Sequence, residues 1–206
     1  MSKAPIQPTY PEPRLRRVFT QDVAKRLQEA FGLQNVNQLP AIEKVIINVG
    51  VGKQLENQKL KPEYRDMVIS TLATISGQKP VMRVAKKAVS NFKVREGAPS
   101  GFMVTLRRER MWNFLDRLIN LAMPRIKDFR GVSDKTFDRQ GNFAMGLSEQ
   151  AVWPEINMAN FTQFHGMNIN IVIERSDPKK SRMLLAELGM PFVKPEPTQA
   201  KAAVKA

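Results

Sequence analysis

The chain has 206 residues, no cysteine, and a formal net charge of +14 from 33 Lys and Arg against 19 Asp and Glu. Zero cysteines exclude disulfides, thiolate metal sites and a cysteine nucleophile, and they suit a reducing cytoplasm. With 42% hydrophobic residues the chain can fill one core, while no apolar run reaches the ~18 residues that span a bilayer and the N-terminus lacks the apolar stretch of a secretory signal.

Taken in order, residues 1–17 carry Pro5, Pro8, Pro11 and Pro13, which remove backbone donors and predict an extended basic arm over 1–19. A single domain is expected over 20–193 and a basic tail over 194–206. Thr20 can cap a helix whose apolar residues Val23, Leu27 and Phe31 recur every fourth position before Gly32 stops it. From Ile42 to Val51 the period becomes two. Val45, Ile47, Val49 and Val51 share one face of that strand, and Lys44, Ile46, Asn48 and Gly50 share the other.

Pro62 opens a second helix with the stripe Tyr64, Val68, Leu72 and Ile75, ended by Gly77. A short strand over Val81–Val84 leads into a basic loop that ends at Gly97 and Pro99. The following strand, Gly101 to Arg107, sets Phe102, Val104 and Leu106 against Met103, Thr105 and Arg107. Glu109 opens a helix carrying Met111, Leu115, Leu118, Ile119 and Ala122, and Pro124 ends it. Phe143 to Leu147 and Met167 to Ile173 alternate as strands, and Asp177 with Pro178 starts a last helix that runs to Gly189. The order α, β, α, β, β, α, β, β, α predicts an α+β fold: two layers, a largely antiparallel sheet, helices on one face and the other face exposed for RNA.

The positive charge is local. Residues 79–130 hold 13 bases and 4 acids, which is +9 of the +14. Crowding Lys86, Lys87, Lys93, Arg95, Arg107, Arg108 and Arg110 together with few acids creates self-repulsion that a polyanion relieves, and this points to nucleic acid. Short polar residues such as Asn48, Gln78 and Thr105 can then hydrogen-bond to ribose 2′-hydroxyls and base edges, a readout suited to RNA rather than DNA.

Catalytic and metal readings find little support, so no catalytic residue, metal or cofactor is assigned. The lone His165 reads as a loop histidine. Gly50 to Lys53 fails the P-loop pattern, because Ile47 and Gln54 stand where glycine and Ser or Thr are needed. Glu149 and Glu155 have ordinary surface spacing. Trp112 reads as core, Trp153 as a candidate for stacking on bases, and Met103, Met111 and Met145 as packing. A free RNA-binding module of the RRM type is the rival reading, since Gly101 to Val104 echo part of its octamer, but Ser100 and Leu106 break that pattern.

The stretches ISGQKP, VTLRRERMW, PRIKDFRG and FAMGLSEQAVWPEI closely resemble the family of bacterial large-subunit ribosomal protein five, over roughly residues 20 to 193. The resemblance implies an α+β fold gripping 5S rRNA at the central protuberance of the large subunit, in the cytoplasm, with no catalysis. By motif it places Asn48, Gln78, Lys79, Thr105 and Arg107 at the rRNA contact. It implies that the loop from Arg83 to Pro99, with Lys86, Lys87, Asn91, Lys93 and Arg95, reaches P-site tRNA. The loop between Gly131 and Gly146, with Ser133, Asp134, Lys135, Asp138 and Arg139, corresponds to the bridge with a small-subunit head protein. Arg108 departs from the family, which usually has glycine there.

Overall fold

Strand alternation in the sequence becomes one five-stranded antiparallel sheet. In the computed structural model, which describes residues 12–56, 59–92, 94–157 and 163–193, the strands are β1 (Ala41–Gly50), β4 (Val81–Val84), β5 (Pro99–Leu106), β6 (Phe143–Leu147) and β7 (Met167–Glu174). Their spatial order is β4-β5-β1-β7-β6. The two adjoining pairs in sequence, β4–β5 and β6–β7, are neighbours, and β1 sits between them. A two-stranded ribbon, β2 (Leu55–Glu56) and β3 (Lys59–Leu60), stands apart.

One face of the sheet is core. Val45, Ile47, Val49, Phe102, Val104, Leu106, Ile169 and Ile171 are essentially inaccessible to solvent, and burial of this kind stabilises by about 1.5–3 kcal/mol per large side chain. A register shift between Ile42 and Lys44 is a β-bulge. It explains why Ile42 and Val45, three positions apart, both face inward. Gly101 is required where β5 meets β1, because a Cβ there would lie 2.6 Å from the Val49 carbonyl oxygen.

The helices cover that core face. Helix α3 (Pro62–Ser76) buries Tyr64, Val68, Leu72 and Ile75, and Gly77 ends it in the left-handed conformation at φ 66°. Helix α4 (Arg108–Arg117) continues through a π-helical turn, Leu118–Ala122, and a 3-10 turn, Met123–Arg125, that contains Pro124. Helix α5 (Pro178–Glu187) begins as its sequence predicts: the Asp177 side chain accepts from the Lys180 N–H at 2.9 Å.

The first helix differs from expectation. It starts at Arg14 rather than Thr20, running as α1 (Arg14–Val18), a π-helical turn (Phe19–Val23) and α2 (Ala24–Phe31). The four-residue stripe Val23, Leu27, Phe31 extends back through Phe19 and Leu15. An α-helix of 3.6 residues per turn would carry such a stripe around its axis, and the wider π turn holds it nearer one side. Leu15 is 3% exposed, Phe19 lies 5.5 Å from the Trp112 ring, and Arg14 pairs with Asp116 of α4. Thr20 caps nothing; its hydroxyl donates to the Arg16 carbonyl inside the helix. Residues 1–11 and the tail 194–206 lie outside the described residues.

Candidate nucleic-acid interface

Among the described residues no α-helix covers the second face of the sheet. Its residues follow from the register. Met103, Asn48, Asn168 and Gly146 stand in one cross-strand row. Thr105, Ile46, Asn170 and Ala144 stand in the next. Asn48 and Thr105 therefore share this open face, one row apart, as expected. Gln78 and Lys79 lie just before Val81, which pairs with Met103, so the chain enters β4 at the Thr105 end. Lys79 and Arg107 are exposed, and Gln78 is half-buried.

Asn168 and Asn170 are the residues that the sequence reading missed. They alternate with the buried Met167, Ile169 and Ile171, so period two located them, but alternation alone does not separate a binding face from a solvated one. Met103, read as packing, is on this open face and half-exposed, whereas Met111 is buried. Trp153, expected as a stacking candidate, is fully buried with its ring 5.1 Å from Phe114. Its place on the turn after Gln150–Val152 directs it into the core. Trp112 is buried as expected.

The basic loop is an irregular extension of the β4–β5 hairpin. Ala85 donates to the Ala98 carbonyl, Gly97 to that of Ala85, and Val89 and Val94 exchange backbone hydrogen bonds. Arg83, Lys86, Lys87, Asn91 and Arg95 are exposed along it, and Phe92 is 78% exposed. Lys93 lies outside the described residues.

Ion pairing is uneven over the surface. On the helical side Arg14, Arg26, Arg117 and Arg182 pair with Asp116, Glu187, Glu155 and Asp134. Among the described residues Lys79, Arg83, Lys86, Lys87, Arg95, Arg107, Arg108 and Arg110 form no ion pair. Arg16, Arg107, Arg108 and Arg110, with Glu43 and Glu109, line a cleft of about 640 Å³ beside Trp112. Arg108 takes φ 54°, the left-handed conformation that favours glycine.

The loop from Gly131 to Gly146 is committed to its own structure. Ser133 accepts from the Lys135 N–H, and Asp134 pairs with Arg182 of α5. Asp138 accepts from the Asn142 side chain and from the N–H groups of Gln140 and Asn142, which hold its carboxyl below the usual range. Lys135 and Arg139 are exposed and form no ion pair among the described residues.

His165 is buried just before β7, and burial lowers its pKa. Neither ring nitrogen has a hydrogen-bond partner among the described residues, so no base or carboxylate stands beside it as a catalytic arrangement would require. No helix among the described residues is long and apolar enough to cross a membrane.

Family models agree with the motifs. Residues 35–95 match ribosomal protein L5, and residues 99–192 match the ribosomal L5P family C-terminus. The large ribosomal subunit protein uL5 of Geobacter sulfurreducens is 46% identical over 179 residues, covering 87% of this chain and 98% of that protein. Its counterparts in Caldanaerobacter subterraneus subsp. tengcongensis and Synechocystis sp. are 48% and 46% identical, over 88% and 87% of this chain and 99% and 97% of theirs. The open polar sheet face and its unpaired cations thus sit on a chain that belongs to the ribosomal protein L5 family, structural and non-enzymatic proteins of the large ribosomal subunit.

Proposed function

We propose that the open face of the sheet, with Asn48, Gln78, Lys79, Thr105 and Arg107, binds 5S rRNA and helps attach it to large-subunit rRNA at the central protuberance. One observation carries this reading: on the open sheet face Asn48 and Thr105 make no side-chain hydrogen bond among the described residues, and Lys79 and Arg107 beside them form no ion pair there. Unpaired Lys and Arg gain counterion-release free energy on phosphate, and the short polar groups supply the hydrogen bonds that charge alone lacks. The basic hairpin is the contact to P-site tRNA, with the exposed Phe92 ring set among its cations. The Gly131–Gly146 loop meets a small-subunit head protein through Lys135 and Arg139, its unpaired members.

The test is selection among RNAs by the purified protein at near-physiological salt. It binds 5S rRNA more tightly than tRNA or poly-uridine. Equal affinity for all three would reject a dedicated 5S interface and leave only a generic polyanion surface.

A further inference from the structure

The open face contains a second kind of chemistry besides charge. Between the sheet and the short turn at Asp134–Thr136 runs a groove of about 630 Å³, lined by Ile46, Asn48, Met103, Thr136, Asn168 and Asn170 together with β6. Among the described residues none that lines it is charged. Phosphate recognition therefore belongs elsewhere on the molecule.

Three carboxamides converge here from two neighbouring strands. Asn48 pairs in register with Asn168, and Asn170 stands one row away beside Ile46. None of the three makes a side-chain hydrogen bond among the described residues, although each is partly accessible. On the far side, Ala144 and Gly146 stand next to Asn170 and Asn168. Side chains this small leave the approach from that edge open. The floor is apolar, made by Ile46 and Met103.

A carboxamide offers two N–H donors and a two-lone-pair acceptor on one plane, which matches the mixed donor and acceptor edges of a nucleobase. A phosphate, which only accepts, would leave half of that capacity idle. An apolar floor suits the face of a base. Bases present their edges and faces together only when unpaired, because a duplex buries the faces in its stack.

We infer that this groove holds unpaired nucleotides of the bound RNA and that Asn168 and Asn170, with Asn48, read their base edges. The inference rests on the reading of the open face as the rRNA interface. It divides the labour on that interface: the arginines and lysines supply affinity, and the asparagine trio supplies sequence discrimination.

The experiment compares the full chain with a variant carrying Asn168→Thr and Asn170→Thr, substitutions that favour strand and lie outside the core. Each protein is titrated with 5S rRNA and with poly-uridine at several salt concentrations, and its thermal midpoint confirms folding. The variant loses about tenfold in 5S affinity, in line with hydrogen-bonding groups left unmatched in an interface. Its poly-uridine affinity and its slope of log affinity against log salt stay unchanged, because no phosphate contact is removed. Unchanged 5S affinity, or an equal loss on both RNAs, overturns the assignment of the trio. If the unaltered chain itself fails to prefer 5S rRNA, the interface reading fails first, and that outcome is visible before the variant is measured.

Discussion

Arg108 holds a backbone conformation at φ 54° that costs an ordinary residue about 1–2 kcal/mol. Arg107 before it is extended, and the chain must turn sharply to pass from β5 into α4. Glycine would make that turn without the Cβ clash. Arg108 instead adds a guanidinium to a cleft that already holds Arg16, Arg107 and Arg110. Arg108→Gly should therefore raise folding stability by up to about 1 kcal/mol, the relief being partly offset by glycine's greater unfolded-state freedom. The same change should make the salt slope of RNA binding shallower by nearly one unit if Arg108 touches a phosphate. Chemical denaturation and salt titration read the two effects separately, and a destabilised variant would show that the Arg108 side chain itself holds the turn. Other residues were legible in the sequence. Gly32, Gly77 and the Asp177–Pro178 pair lie at the helix ends that their chemistry dictates. Asn168 and Trp153 were not, because exposure on a binding face and burial in a core leave the same local pattern.

Elements with strong periodicity were readable, and those held by tertiary contact were not. Each sheet strand was expected within a few residues, since alternation under a covered face is dictated by burial itself. Helix α1 differs from expectation because the four prolines before it remove backbone donors and by themselves predict an extended arm. Its helical state depends on α4: Leu15 inserts beside that helix and Phe19 meets Trp112. Arg14–Val18 runs without a break into the π-helical turn and α2, so these contacts extend that one helix toward its N-terminus. Leu15→Ala should cost about 2–4 kcal/mol by leaving a cavity between α1 and α4. The change should also expose Trp112 and shift its fluorescence to longer wavelength. A loss below about 0.5 kcal/mol, the usual size of a surface effect, would mean that this helix contributes nothing to the folded domain.

On the scale of the molecule, strand order is what the sequence could not supply. Period two says which side chains share a face, but not that β1 pairs along its length with β5 on one side and β7 on the other, both distant in sequence. That arrangement sets the two basic regions at opposite ends of β5. The hairpin loop leaves at Pro99, and Arg107 follows Leu106. An eight-residue antiparallel strand at about 3.4 Å per residue separates them by about 24 Å. At 0.1 M salt the Debye length is about 10 Å, so charges on the loop act almost independently of those at the Arg107 end. Neutralising Lys86, Lys87, Lys93 and Arg95 together should thus leave 5S rRNA affinity within about twofold. In assembled ribosomes the same variant should weaken tRNA positioning at the peptidyl site, measured as faster tRNA release. Loss of 5S binding in that variant would show that the loop folds back over the sheet face and that one continuous surface, not two, serves both RNAs.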